Sequence, residues 1–222
     1  MMIVPETYVH IHLKGKSEEE ANREIKKLRR EISRLKRVIE ESDPYSDEML
    51  EAPSPGVRLS CNIDYLDAAR EYFESRGWEY KPSRAEIADK KFNDRLKDLK
   101  SIEIEYETVF LEESEIRKIE FENEKILVER FRSYMIPIND DNSQKIFDGM
   151  NKRDLLNKLA GIHIGEWKKN YFCPALDGCQ WHVVFRYSDG KKCRFEGSNS
   201  YPYNFDAFLY AVRMKKLDEY EE

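Results

Sequence analysis

Apolar residues recur at Ala21, Ile25, Leu28, Ile32, Leu35 and Ile39, spaced 4, 3, 4, 3 and 4 residues apart in an otherwise charged stretch. This heptad seam predicts a long helix from Ser17 to about Glu41. Ser17 and Glu20 have capping-box spacing at its start, and Asp43-Pro44 stops it. Ahead of it, Thr7 to Leu13 alternates and is rich in β-formers, which predicts a strand. Pro44 to Gly56 holds three prolines and several acids and reads as a linker.

Beyond the linker, Val57 to Cys61 reads as a short strand and Ile63 to Arg76 as a helix, with Leu66, Ala69, Tyr72 and Phe73 on one side and Gly77 as its stop. Ser83 and Glu86 open another helix, expected to bury Ala88, Phe92, Leu96 and Leu99. Ile102, Ile104 and Tyr106 alternate as a strand, and Ile116 to Phe131 reads as two strands around Asn123-Glu124-Lys125. Residues 137–148 are polar and read as a loop.

The last quarter is densest in turns and aromatics. Asn151 caps a helix from Lys152 to Ala160 with Gly161 at its end, and His163 to Trp167 reads as a strand. Asp177-Gly178 marks a turn. A hairpin follows, with two candidate registers. A two-residue loop at Asp189-Gly190 would pair Phe185 with Arg194. A three-residue loop, Ser188-Asp189-Gly190 with Gly190 left-handed, pairs Phe185 with Cys193, Val183 with Phe195 and Trp181 with Gly197. Only the second puts the apolar partners on one face, so it is the expected register. After Pro202, Asn204 caps a last helix that buries Phe205, Phe208, Leu209 and Val212.

The expected class is α+β: a long N-terminal heptad helix, a mixed or antiparallel sheet with packed helices, and a C-terminal β-hairpin followed by a helix. Three segments are expected: 1–43, the strand and heptad helix; 57–112, an α/β segment; and 113–222, a C-terminal α+β module. Hydrophobic residues make up 40% of the 222, enough for a core, while 37% are charged, so much of the helical surface is solvated. No apolar run is long enough to span a membrane, and the N-terminus lacks the pattern of a signal peptide. Four scattered cysteines suggest a reducing, cytoplasmic setting.

The heptad seam can pair with a second copy or pack on the chain's own sheet. Its isoleucine-leucine usage and narrow width favour a parallel homodimer, with Ile25, Leu28, Ile32, Leu35 and Ile39 as the interface. Glu24 and Glu31 at g, with Arg29 and Lys36 at e, agree with that choice. The outer face carries Arg23, Lys26, Lys27, Arg30, Arg34 and Arg37. From residue 23 to 37 there are eight basic and two acidic residues, a net of +6 in a chain of net −6. This is either a solvated helix face or a stripe for phosphates or acids.

Other candidate chemistry is sparse. His10 and His12 would share one face of a strand, as a metal pair could, but no third ligand is placed by spacing. Cys173, Cys179 and Cys193 match no zinc module. Gly197, Asn199 and Tyr201, before Pro202, form either a binding loop or a tight connection locked by Trp181; Asn199 can bond its own backbone two residues on. Phosphate-binding glycine loops, nucleophile elbows and dinucleotide fingerprints are missing from the sequence.

Trp167-x3-Tyr171, Asp177-Gly178-x-Gln180-Trp181, Tyr187-Ser-Asp-Gly190 and Gly197-Ser-Asn199-Ser-Tyr201-Pro202-x-Asn204-Phe205 together resemble a small C-terminal module that recurs in bacterial proteins as a domain of unknown function. The resemblance covers roughly residues 115–215. It implies no catalytic residues, and Cys179 stands where that family usually has threonine. The expectation is a non-catalytic macromolecule-interaction protein, leaning away from an enzyme, that self-associates through a coiled coil and binds a protein partner, with no cofactor, no metal and no membrane. The alternatives are a nucleic-acid-associated protein or an inhibitor of a nucleic-acid enzyme, such as a mobile-element anti-defence protein, and a metal-dependent hydrolase at His10 and His12.

Overall fold

The computed structural model describes residues 3–41, 46–108, 114–138, 145–174 and 178–214. The Asp43-Pro44 stop, Asp177 of the Asp177-Gly178 turn and residues 139–144 of the polar loop lie outside them. The chain divides into two compact units, Met1–Pro82 and Ser83–Glu222. The helix after the linker packs on the heptad helix, while residues from Ser83 onward build the sheet unit.

The first unit is helical: α1 (Pro5–His12), α2 (Glu18–Glu41), a single turn α3 (Asp47–Leu50) and α4 (Pro55–Ser75). α2 opens as expected, with Ser17 N and Oγ both donating to Glu20 Oε2 at 2.9 Å. Two expected strands are helices instead. Thr7–Leu13 lies in α1 and at its end: Pro5 sits in the first turn with its φ already helical, and Tyr8 stacks on both His12, one turn on, and Tyr65 of α4. Packing overrides the β-rich composition. Val57–Cys61 forms the first turns of α4, where the Ser54 hydroxyl accepts from Val57 N and Pro55 occupies the first turn. α4 ends as expected, with Gly77 left-handed at φ 68°.

The second unit is a mixed seven-stranded sheet, in the order β4-β3-β2-β1-β6-β7-β5. Its strands are β1 (Leu99–Glu107), β2 (Glu115–Glu122), β3 (Lys125–Arg132), β4 (Ile136–Pro137), β5 (Asn170–Phe172), β6 (Gln180–Tyr187) and β7 (Lys192–Ser198). Three helices, α5 (Arg84–Leu96), α6 (Lys152–Ala160) and α7 (Phe205–Ala211), bury their apolar residues in one core with Ile102, Ile104, Tyr106, Val183, Phe185 and Phe195. Ser83 with Glu86, and Asn151 with Asp154, both form capping boxes.

The hairpin register is the one expected: Phe185 stands opposite Cys193, Val183 opposite Phe195 and Trp181 opposite Gly197, and Gly190 is left-handed at φ 78°. Three details differ from expectation. Ala88 is exposed, and Asp89 takes the buried position in phase with Phe92 and Leu96. His163–Trp167 is not a strand; His163 is left-handed at φ 60° and Ile164–Glu166 is a tight 3-10 turn. Asn204 holds the N-cap position of α7 without capping it, because its side chain accepts from Trp167 Nε1 at 2.7 Å and donates to Ile162 O.

Candidate functional site

The seam of α2 is occupied within the chain. Ala21, Ile25, Leu28, Ile32 and Leu35 are buried and Ile39 is half-buried, and α2 packs on α4, which contributes Leu59, Leu66, Ala69 and Phe73 to the same interior. The residues expected to form an oligomer interface therefore face an intramolecular partner. The charges expected to meet a second copy also have partners in the same chain. Glu24 accepts from Lys27, Glu31 pairs with Arg34 and with Arg58 of α4 at 3.0 Å, and Arg29 donates to Lys81 O and stacks on Tyr80. Hydrogen bonds from Arg34 hold the Glu31 carboxyl below its usual range. A heptad pattern shows that a face is covered; here a second helix of the same unit covers it.

The basic stripe is divided. Arg23 pairs with Glu19, Lys27 with Glu24, and Arg34 with Glu31 and Glu48. Lys26, Arg30 and Arg37 are exposed and form no ion pair among the described residues.

The C-terminal loop is built as a clasp. The Trp181 indole lies against Gly197 and donates from Nε1 to Ser200 O at 2.9 Å. Asn199 is left-handed at φ 54° and does not bond its own backbone two residues on. Its Oδ1 accepts from Cys179 N at 2.8 Å, and its own N–H donates to Cys179 O at 2.9 Å. Tyr201 stacks on Trp181 and brings its hydroxyl within 3.3 Å of the Tyr106 hydroxyl. Gly197, Asn199 and Tyr201 thus take part in contacts within the fold.

His10 and His12 lie on a helix, where residues two apart point about 200° from one another. They diverge, and the shared face that a metal pair would need is gone. Among the cysteines, Cys173 is exposed, Cys179 buried and Cys193 half-buried on the hairpin; all four of the chain are free thiols.

Two arrangements escaped the sequence reading. The first is Asp89 with His163. The buried carboxylate meets His163 Nδ1 at 2.8 Å, accepts from Gly165 N at 3.2 Å and from Asn93 Nδ2 at 3.1 Å. A Cβ on Gly165 would fall 2.7 Å from Ala88 O and 2.8 Å from Phe92 Cβ, so only glycine lets the turn sit this close to α5. The carboxylate's bonds to His163 Nδ1 and Gly165 N fasten the 163–166 turn to α5, while the bond from Asn93 lies within α5 itself. Asp89 lies in phase with Phe92 and Leu96, and that phase was the available signal.

The second is the segment after β3. Tyr134, Met135 and Ile136 are three consecutive large apolar residues with 82, 46 and 57% exposure. Tyr134 and Met135 are both left-handed, at φ 61° and 58°, beside a buried Ser133. The segment enters β4, one of the two edge strands of the sheet among the described residues. No protein-family model, curated protein or solved structure matches the chain.

Proposed function

We propose that this is a non-catalytic macromolecule-binding protein whose sheet unit takes a protein partner on Tyr134, Met135 and Ile136. The carrying observation is the exposure of that segment together with its backbone. Left-handed geometry costs a non-glycine residue about 1–2 kcal/mol, and here two adjacent residues adopt it while displaying apolar side chains to solvent. A run of exposed apolar residues gives the isolated fold no burial in return, and tyrosine and methionine are side chains favoured at interfaces. Pro137 removes a donor from the edge strand, which favours docking by side chains over addition of another strand. Self-association through the heptad seam forms no part of this reading, because α4 covers that face. The cytoplasm is the compartment in which four unpaired thiols stay reduced, and we place the protein there. Among the described residues no helix is long and apolar enough to cross a membrane.

The test compares the wild-type chain with a Tyr134→Ser, Ile136→Ser variant as baits in host lysate, quantified by mass spectrometry. The variant is expected to melt at or above the wild-type temperature and to lose a specific partner. Identical capture by the two folded baits would refute the assignment.

A further inference from the structure

We infer that the outer face of α2 is a binding site for the phosphate backbone of duplex nucleic acid, centred on Lys26, Arg30 and Arg37. This site lies in the helical unit and is independent of the proposed protein-docking segment. With 100° per residue, positions 26, 30 and 37 fall within an arc of about 40°, and with 1.5 Å of rise they span roughly 16 Å. The buried seam of the same helix lies on roughly the opposite side, held by α4, so the three cations stand on an anchored helix. None of the three has an acidic partner among the described residues, whereas Arg23 and Arg34 beside them do. Glu18, Glu19 and Glu20 close the row at one end and Glu40 and Glu41 at the other, which confines the positive field to a short line.

Two features select a duplex backbone over other polyanions. A fixed line of cations complements a fixed line of phosphates. α2 contains no aromatic residue, so it offers no surface on which unstacked bases could lie, as single-strand binders do. The three cations are strung along one line about one helix turn or more apart, so the contacts inferred are to successive backbone phosphates, which position a protein on a duplex without reading its sequence.

The experiment is fluorescence anisotropy of a labelled mixed-sequence DNA duplex titrated with the full chain at several salt concentrations. Three neutralised phosphates give a slope of log K against log salt of about −2.7, and each of Lys26→Ala, Arg30→Ala and Arg37→Ala reduces its magnitude by about 0.9. The K26E/R30E/R37E variant should lose duplex binding while retaining its circular-dichroism melt. A charge-matched control, K97E/K100E/K125E, reverses three exposed cations of the sheet unit and should retain it. Single-stranded DNA of equal length and polyglutamate are the comparison ligands. The inference is overturned if the duplex does not bind, if its slope is flat, if the control loses binding as fully as the stripe variant, or if single strand or polyglutamate binds more tightly than duplex.

Discussion

Trp181 leaves no room for a side chain at Gly197. A Cβ there would lie 2.5 Å from Trp181 Cε2 and 2.6 Å from Ser200 O, the carbonyl that accepts the indole N–H. The constraint is purely steric, since Gly197 is not among the residues of positive φ. Gly197→Ala should therefore already destabilise the sheet unit, by roughly 1–3 kcal/mol, with Gly197→Val costing more. Thermal melts followed by tryptophan fluorescence would check this, and an unchanged melting temperature for Gly197→Val would contradict the packing.

Asn199 combines a left-handed backbone with a hydrogen bond to Cys179 N. Alanine there loses both advantages, about 1 kcal/mol for the bond and about 1–2 kcal/mol for the backbone. Glycine loses the bond and adds freedom to the unfolded chain, but escapes the backbone strain. The order of melting temperatures should be wild type, then Asn199→Gly, then Asn199→Ala; an alanine variant more stable than the glycine one would show that the backbone term is misjudged.

Ile32 sits in the covered seam of α2. An aspartate at this position would bury an unpaired charge against α4, so Ile32→Asp should unfold or loosen the helical unit, at a cost of about 3 kcal/mol or more. If α2 instead paired between chains, the same variant would be a folded monomer at half the mass of the wild type. Light scattering combined with circular dichroism separates the two outcomes.

Tyr134 and Met135 invite the opposite experiment. Replacing either with glycine relieves positive φ at an exposed site, against the extra flexibility glycine gives the unfolded chain. The net expectation is a gain of about 0.5–1 kcal/mol in denaturant unfolding. A clear loss would mean that these side chains stabilise the isolated fold and are not held out for a partner.

Glu115 sets a pH dependence. Burial raises its carboxyl pKa, but the hydrogen bond from Arg130 and the charge of Arg117 outweigh that and hold it below the usual range. A depressed carboxyl contributes stability that is fully present above its unfolded pKa, about 4.3, and is lost as pH falls through the lower folded value. Part of the acid unfolding below about pH 4 should therefore disappear in Glu115→Gln, which is less stable than wild type at neutral pH. Parallel acid-induced unfolding curves for the two proteins would count against this.

The sequence was readable where a pattern had only one physical solution. In the β6–β7 hairpin, one register alone puts Trp181, Val183 and Phe185 opposite Gly197, Phe195 and Cys193, and that register is present. The capping boxes at Ser17 and Ser83 and the N-cap at Asn151 were legible for the same reason. The reading failed where a pattern was shared by two structures. Thr7–Leu13 alternates like a strand, yet it is helical, with Tyr8 stacked on Tyr65, fifty-seven residues away. The seam of α2 announced a buried face but not what would bury it. Of the candidate sites, the basic row was visible as composition, but which of its cations are already paired was not. Tyr134–Ile136 was invisible, because exposure of an apolar run depends on the strands around it.

Arg117 projects from β2 into the interior, opposite Ile104, and its Nη1 donates to Val212 O at 2.8 Å and Arg213 O at 2.6 Å, the carbonyls at the end of α7. During synthesis, the middle of the sheet leaves the ribosome long before those acceptors exist. Until residue 213 has emerged, the guanidinium has only Glu115 among these partners, so enclosing it before α7 docks would bury a charge with two of its hydrogen bonds unmade.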